Sequence, residues 1–535
     1  MNSLNIGNSL YLHPTDEQEL LRILTNIKTT SVGWDDINVN ILKSSFHHYS
    51  NVLVHLVNMS LSEGVFPDLM KIAKIIPLYK NGEKNILNNY RPVSVLPVFS
   101  KLFERVIYNR LIQFVNDNDL LYEFQFGFRK KHNTTLALIT LIDKIVTGIN
   151  DNEMTLGAFL DFSKAFDMMD HNILMRKLHK YGIRGIGNNL IRNYLQNRKQ
   201  YIIFNGTLSD TLSVNCGVPQ GSILGPLLFI LYVNDLHLVS DLVLPILFAD
   251  DSSIFIRGND IINMTNTLNQ ELNKIYIWIN TNKLCLNINK TSCMLFKPRR
   301  RKVLHEFQVK IANTVISKAN SMKFLGVVID SNLSWDAHIN FIRKKIAKGI
   351  GIINKAKRSL NQDSLLTLYH SFVYPYITYG IEVWGSSSKT NLLGILKLQN
   401  KILRIITFSP ARTSALPFYK RFNLLNVNEI YIVKVSLFMF KCCQGESSNY
   451  VNAMFLPNSQ YHDYETRHHS KLHIPLLRTS FCQGIMRYKG AIIWNYLLDH
   501  VPTCSKSSIA LFKKHVKSHI LSNENLSNKL SQRPS

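Results

Sequence analysis

The sequence predicts an α+β fold in which a region of mixed strands and helices precedes a mostly helical region. Up to about residue 335, short runs of β-branched and aromatic residues alternate with segments whose apolar residues recur every three or four positions. From Trp335 onward the helical period dominates, and Pro375 is expected to kink the helix over residues 364–377. Elements segregated along the chain in this way are typical of α+β folds.

The composition indicates a globular and strongly basic protein. Of 535 residues, 46% are apolar, and 62 lysines and arginines against 36 acidic residues give a net charge of +26. That excess suggests a polyanionic partner, with nucleic acid as the first candidate and an anionic membrane surface as the second. A basic solubilising surface is the third interpretation.

Neither a membrane span nor a secretory leader is expected. No run reaches the roughly 18 apolar residues of a spanning helix, and the N-terminal residues lack a basic stretch followed by an apolar one. The seven cysteines lack C-x-x-C spacing. We therefore expect reduced thiols in an intracellular protein.

Local patterns predict the elements of the first region. Residues 15–30 carry an amphipathic helical period behind Thr15 or Asp16, either of which can cap a helix. The apolar spacing of residues 98–115 is also helical. The other predicted elements are strands over 71–80 and 155–160, a helix over 171–182, a helix ending in a strand over 188–204, a helix over 262–284, and strands over 286–296 and 322–330.

Residues 244–256 predict a β-hairpin with two aspartates at its tip. The apolar runs of "LPILFADDSSIFI" are too short for helices, and Asp-Asp-Ser-Ser is typical of a turn. Two adjacent carboxylates cost free energy if they are buried without a partner. Asp250 and Asp251 are therefore expected either to lie in a solvated turn or to hold a cation.

A third carboxylate favours the second of these alternatives, a site that binds a cation. Asp161 follows the strand predicted for residues 155–160, and two strands side by side would bring Asp161 and Asp250 to one edge of a sheet. Such hard oxygen ligands suit Mg²⁺, and two ions about 3.5–4 Å apart are the arrangement used for in-line phosphoryl transfer. We expect Asp161 and Asp250 to be the principal ligands, with Asp251 beside them.

A glycine-rich loop lies between these carboxylates in the sequence. Gly217, Pro219, Gly221 and Gly225 form a loop whose backbone can approach a ligand closely, and Gln220 projects from it. An apolar helix is expected to follow. The pattern is equally compatible with a helix N-terminus that happens to hold turn residues.

These segments, taken in order, resemble a known family. Asp161 with Phe166, then "GVPQGS", "FADD", "LNINKTSCMLF" and "KFLGVVID" resemble the palm of reverse transcriptases, and more narrowly those of non-LTR (LINE-type, jockey and CR1-like) retrotransposons. Upstream, "IIPLYKNGEKNILNNYRPVSVLPVFSKLFERVIYNRL" and "QFGFRKKHNTTLALITLIDKI" resemble the fingers segments of that group. The resemblance covers roughly residues 20–500.

The resemblance implies a right-hand polymerase architecture. It would consist of fingers, a palm built on an antiparallel sheet, a helical thumb and a C-terminal helical extension. The expected division is an N-terminal helical extension and start of the fingers at 1–70, fingers and palm at 71–335, a helical thumb-like region at 336–445, and a region of unknown role at 446–535.

The resemblance also implies roles for the carboxylates and for one aromatic residue. Asp161, Asp250 and Asp251 match the catalytic ligands of two Mg²⁺ ions. Phe166 matches the steric gate beneath the incoming sugar, where a ring would collide with a 2′-hydroxyl.

Four further residues match positions that contact the nucleotide. Gln220 matches a nucleotide-contacting residue, and Lys80 and Arg91 match cations that grip the triphosphate. Lys290 matches a lysine that protonates the leaving pyrophosphate. The alternatives are a solvated basic face for Lys80 and Arg91 and an ordinary strand-edge lysine for Lys290.

The expected function is that of an RNA-directed DNA polymerase in the nucleus or the cytoplasm. Its partners would be an RNA template, a DNA primer or target, deoxynucleotides and a separate endonuclease, since little sequence precedes the fingers-like pattern. The rival interpretations are an RNA-copying RNA polymerase and a decayed nucleic-acid-binding remnant. One motif departs from the family: its G-x-D-G-I is replaced by Gly33-Trp34-Asp35-Asp36-Ile37 in this chain, which is expected to shift a turn.

Overall fold

A computed structural model describes residues 6–28, 31–303, 305–461, 469–501 and 508–523. Helices and mainly antiparallel strands alternate in the first part, and helices follow from residue 336. The α+β prediction is therefore confirmed. Within the described ranges, no helix is long and apolar enough to cross a membrane.

The helices and strands fall into three parts of the chain. Up to residue 150 they are α1 (Glu17–Asn26), α2 (Val39–Glu63), β1 (Ile72–Tyr79), β2 (Tyr90–Val95), α3 (Val98–Asp117) and α4 (Thr134–Asn150). Up to residue 335 they are β3 (Met154–Leu160), α5 (His171–Lys180), α6 (Gly185–Leu195), β4 (Arg198–Phe204), β5 (Thr207–Leu208), β6 (Leu212–Val214), α7 (Gly225–Tyr232), β7 (Leu244–Phe248), β8 (Asp251–Gly258), α8 (Ile261–Thr281), β9 (Ser292–Phe296), β10 (Lys310–Ile311), β11 (Thr314–Val315), β12 (Ser317–Lys318), β13 (Ser321–Phe324) and β14 (Val327–Asp330). Beyond residue 335 they are α9 (Asp336–Ala356), α10 (Gln362–Phe372), α11 (Tyr374–Thr378), α12 (Ile381–Trp384), α13 (Lys389–Ile406), α14 (Leu416–Arg421), α15 (Val427–Cys443), α16 (Asn449–Asn452), α17 (Met486–His500) and α18 (Ile509–Ser522).

Most local predictions agree with these elements. The side chain of Asp16 caps α1 by accepting a hydrogen bond from the Glu19 amide. Pro375 occupies the first turn of α11, and the chain bends between α10 and α11 at Val373. In the segment that departs from the family pattern, Asp36 adopts a left-handed backbone with φ of 52°, which aspartate tolerates better than most residues.

Two predicted strands are wrong in detail. The predicted strand over 286–296 is interrupted at Asn287–Thr291, where the Lys290 and Thr291 amides fold back onto the Asn287 carbonyl. The predicted strand over 322–330 is the hairpin β13–β14. Its two turn residues, Leu325 and Gly326, both have positive φ, which is the backbone of a tight hairpin turn.

A five-stranded sheet, called the central sheet below, has the order β12-β9-β3-β8-β7. Strand β3 is buried along its whole length, as expected for an apolar run with neighbours on both sides. It pairs antiparallel with β8, and the last register pair is Leu160 with Ser252. The end of β3 and the β7–β8 turn therefore lie at the same edge of the sheet.

A second sheet holds the upstream basic residues. Its order is β2-β1-β4-β5, with β6 also paired to β4. Strands β1 and β2 are antiparallel with Leu78 opposite Arg91. Lys80 follows β1 directly, and its amide donates to the Asn89 carbonyl. This pairing brings Lys80 and Arg91 to one end of the second sheet.

The C-terminal helices pack on the first part of the chain as well as on each other. Helix α15 packs against α17 and α18, and Phe440 stacks on Phe512 with ring centroids 4.6 Å apart. The Asp143 carboxylate of α4 is buried and pairs with the Arg487 guanidinium of α17 at 2.6 Å. A buried ion pair of this kind fixes the register of the two helices, since removal of either partner would leave the other charge uncompensated.

Candidate active site

Three aspartates meet at one edge of the central sheet. Asp161 and Asp251 stand one residue beyond the last β3–β8 register pair, and Asp250 occupies the turn between β7 and β8. The three carboxylates are close enough to interact, because Asp161 acts electrostatically on both Asp250 and Asp251. The proximity expected from two adjacent strand ends is therefore observed.

The electrostatics of the cluster are unfavourable without a cation. Desolvation in the cleft, followed by repulsion from Asp250 and Asp161, raises the pKa of Asp251 to about 6. Burial also raises the pKa of Asp250, while Arg91 and Lys80 oppose that rise. Like charges at short range and loss of hydration both disfavour the ionised carboxyl groups.

The chemistry of the cluster fits a divalent cation, although its geometry is not preassembled. Carboxylate oxygens are the donors that Mg²⁺ prefers, and a cation would relieve the repulsion that raises the pKa of Asp251. Within residues 6–28, 31–303, 305–461, 469–501 and 508–523, no three His, Cys, Asp or Glu side chains are arranged to hold a metal ion already. The carboxylates would have to turn toward an ion when it binds.

This repulsion predicts that Asp251→Asn stabilises the metal-free protein. At about pH 7.5 wild-type Asp251 is charged, and its removal should raise the free energy of unfolding by about 1 kcal/mol after discounting for the exposed position of this side chain. Since its pKa in the folded protein is about 6, Asp251 is mostly protonated at about pH 5, and the gain should shrink there. Denaturant melts in chelator at both pH values measure the difference. An equal gain at both would show that charge repulsion is not its cause.

Phe166 follows Asp161 by five residues and packs between two other aromatic rings. It stacks on Phe229 with ring centroids 4.3 Å apart and meets Phe128 edge-on at 6.0 Å. Its backbone carbonyl accepts from the Val218 amide at 3.0 Å. The ring is half-buried, and its position is set by packing against these two rings.

The glycine-rich loop is held on both sides. The Gln220 side chain donates from Nε2 to Asp167 at 2.8 Å, and the Gln220 carbonyl accepts from the Ser94 amide at 2.8 Å. A Cβ on Gly221 would stand 2.6 Å from the Ser94 carbonyl oxygen, so only glycine permits this approach to β2. The loop therefore links the second sheet to the segment after β3.

The three basic residues predicted for the site, Lys80, Arg91 and Lys290, lie on two different segments. Lys80 and Arg91 are exposed and lie near enough to Asp250 to oppose the rise in its pKa that burial causes. Lys290 is exposed on the Asn287–Thr291 turn. That turn contacts the cluster through its backbone, because the Asn287 amide donates to the Asp161 carbonyl at 2.8 Å.

Sequence reasoning missed Glu104, a fully buried residue of α3 that orders the glycine-rich loop. Its carboxylate accepts from the Ile223 and Leu224 amides, at 2.6 and 3.3 Å, where α7 begins. Burial raises its pKa, and the charge of buried Arg198 opposes that rise. The one signal in the sequence was an acidic residue on the apolar face of a predicted helix.

Comparison with known proteins agrees with this geometry. Residues 79–329 match the family model described as "Reverse transcriptase (RNA-dependent DNA polymerase)". The chain is similar to two proteins named "RNA-directed DNA polymerase from mobile element jockey". The one from Drosophila melanogaster is 29% identical over 370 residues, which cover 67% of this chain and 40% of that protein. The one from Drosophila funebris is 28% identical over 419 residues, which cover 74% of this chain and 44% of that protein.

The matched region holds the whole candidate site. It runs from Tyr79 to Ile329 and includes the three aspartates, the glycine-rich loop and the basic end of the second sheet. The chain spans less than half of the length of either jockey protein. Residues 79–329 therefore resemble reverse transcriptases, and the chain is similar to the polymerases of LINE-type, non-LTR mobile elements such as jockey.

Proposed function

We propose that this chain is an RNA-directed DNA polymerase that adds deoxynucleotides to a primer 3′-hydroxyl on an RNA template. One observation carries the proposal: Asp161, Asp250 and Asp251 meet at one sheet edge, inside the region that matches the reverse transcriptase family. A polymerase needs a carboxylate cluster of this kind to hold divalent cations, because its reaction gathers negative charge on phosphate and the cations offset that charge.

Some of the site residues would bind metal ions, and others would bind the nucleotide. Asp161, Asp250 and Asp251 would hold two Mg²⁺ ions, which would activate the attacking hydroxyl and stabilise the charge on the transferring phosphate. Arg91 and Lys80 lie close enough to Asp250 to act on it electrostatically. We assign them to the triphosphate, which their charge attracts.

The remaining residues would shape the nucleotide pocket. Phe166 would pack beneath the sugar and exclude a 2′-hydroxyl. Gln220 would release Asp167 and turn toward the nucleotide, while Gly221 keeps the loop backbone against β2. Lys290 would reach over from its turn to protonate the leaving pyrophosphate, as a general acid.

The architecture proposed for this activity is the right hand. We assign the second sheet to the fingers and the central sheet to the palm, both within 71–335, and α9–α15 to a thumb at 336–445. Residues 1–70 would form an N-terminal helical extension and the start of the fingers, and 446–535 a region of unknown role. Work on chromosomal DNA would place the protein in the nucleus. Priming on target DNA needs a nicked strand, so we include an endonuclease activity, on this polypeptide or another, among the partners.

Primer extension with two nucleotide pools tests the proposal. Purified protein, a primed RNA template and Mg²⁺ are incubated with deoxynucleotides in one reaction and with ribonucleotides in the other. Extension with deoxynucleotides is expected. Preferential use of ribonucleotides would favour the RNA polymerase alternative, and tight template binding without extension would favour the decayed remnant.

Template binding should weaken steeply as salt rises. A chain of net charge +26 that grips a phosphate backbone releases counterions, so affinity for single-stranded RNA should fall at least ~10-fold between about 50 and 200 mM salt. Fluorescence anisotropy measures the affinity. A morpholino oligomer of the same sequence, which has no backbone charge, is the control. An RNA affinity that stays constant over this range would contradict the electrostatic account.

A further inference from the structure

A short segment outside the predicted site adds to the central sheet beside the catalytic hairpin. Residues 124–127, called the buttress segment below, run alongside β7. The Phe126 amide donates to the Leu247 carbonyl at 2.8 Å, and the Leu247 amide donates to the Phe124 carbonyl at 2.9 Å. These bonds fix the buttress segment at the strand that leads into the aspartate turn.

The side chain of Gln125 extends this contact to the turn itself. Gln125 is 1% exposed. Its Oε1 accepts from the Ala249 amide at 3.0 Å and from the Gly127 amide at 2.9 Å. Among the described residues its Nε2 has no hydrogen-bond partner. The amide cannot be turned over, because Nε2 would then face two N–H donors.

The turn that Gln125 holds has an unfavourable backbone. Ala249 and Asp250 are the two residues between the paired Phe248 and Asp251, and Ala249 has a φ of 57°. Glycine is preferred there, and an alanine in this conformation persists only where its surroundings over-determine it. The hydrogen bond to the Ala249 amide is one such constraint, and it lies one residue from Asp250.

Close packing provides a second constraint. A Cβ on Gly127 would stand 2.4 Å from the Ala249 nitrogen and 3.1 Å from the Ala249 Cβ. No side chain fits between the two backbones, so the buttress segment and the turn must move together. The buttress segment also packs against the C-terminal region, because the Phe124 ring meets the Tyr450 ring edge-on with centroids 5.2 Å apart.

We propose that Gln125 is a positioning residue for the catalytic aspartates, acting through the Ala249 amide to hold the turn backbone from which the Asp250 and Asp251 side chains reach the reacting groups. The proposal deepens the polymerase function and rests on it. Gln125 touches no reacting group, so its removal should lower kcat, while the KM for deoxynucleotide, which we assign to Arg91, Lys80 and the glycine-rich loop, changes little.

The most direct test needs no catalysis. Hydrogen exchange of the peptide that covers residues 247–250 is measured in the metal-free protein. The Ala249 amide should be protected in the wild type, exchange at least ~10-fold faster in Gln125→Met, and regain protection in Gln125→Glu, which keeps the accepting oxygen. Rapid exchange of this amide in the wild type, or unchanged protection in Gln125→Met, would overturn the proposal.

Gln399→Met is the matched control. Gln399 is also fully buried, and its Oε1 accepts the Val427 amide at 2.9 Å, in the helical region. Both variants lose one buried glutamine, so both should lower the melting temperature, but only Gln125→Met should speed exchange at 247–250.

The kinetic test uses single-nucleotide incorporation. Gln125→Met should lower kcat by ~10²-fold with a nearly unchanged KM, and Gln399→Met should leave kcat per folded molecule unchanged. Equal kcat values for the two variants would contradict the positioning role. If the wild-type chain extends no primer, the proposed function fails, whereas the exchange experiment still decides whether Gln125 holds the turn.

Discussion

Asp161→Asn or Asp250→Asn should reduce primer extension by at least ~10³-fold, since each removes a charge that the account assigns to cation binding. Asparagine has nearly the same volume, so the packing of β3 and of the β7–β8 turn should survive. The effect should fall on the chemical step. Single-turnover incorporation of one deoxynucleotide measures it directly.

Two controls separate lost chemistry from lost structure. RNA affinity should remain within about 2-fold of the wild type in both variants, because phosphate contacts from basic residues supply most of that binding. Asp363→Asn changes an exposed carboxylate of α10 and should leave extension unchanged. Extension near the wild-type rate by either Asp161→Asn or Asp250→Asn would refute the assignment of the cluster.

Phe166→Ala should admit ribonucleotides. The ring is held by Phe229 and Phe128, so it cannot move aside for a 2′-hydroxyl, and its removal opens that space. We expect the ratio of deoxy to ribo kcat/KM to fall about 10- to 100-fold, the range that small steric differences in a pocket provide.

Phe166→Tyr is the control for that experiment. It keeps the ring and its stacking on Phe229, so it should keep most of the selectivity. A ratio that is the same in the wild type and in Phe166→Ala would show that another group excludes the 2′-hydroxyl. If kcat/KM falls for both the deoxynucleotide and the ribonucleotide while their ratio stays the same, the variant has a packing defect as well.

The parts of the site that local patterns specify were predictable from the sequence. A short apolar run ended by Asp161, and two short strands around Asp250 and Asp251, predicted a common sheet edge, because strand ends and turns obey local rules. The helix cap at Asp16 and the bend before Pro375 follow from equally local chemistry. In each case the signal lies within a few residues of the feature.

The parts that depend on distant contacts could not be predicted in this way. Glu104 orders amides that lie about 120 residues away, and Gln125 holds a turn 124 residues away. Nothing near either residue in the sequence identifies its partner. The hairpin of β13 and β14 was missed for a different reason, since an apolar run hides the turn at Leu325 and Gly326 unless its single glycine is given full weight.

The central claim is that this chain copies RNA into DNA, and the sequence of the product tests it most directly. Purified protein is supplied with one primer, Mg²⁺, four deoxynucleotides and either of two RNA templates that differ beyond the primer site. The account predicts DNA complementary to whichever template is supplied, and no such product from Asp250→Asn. Product that is absent, or whose sequence does not follow the template, would contradict it.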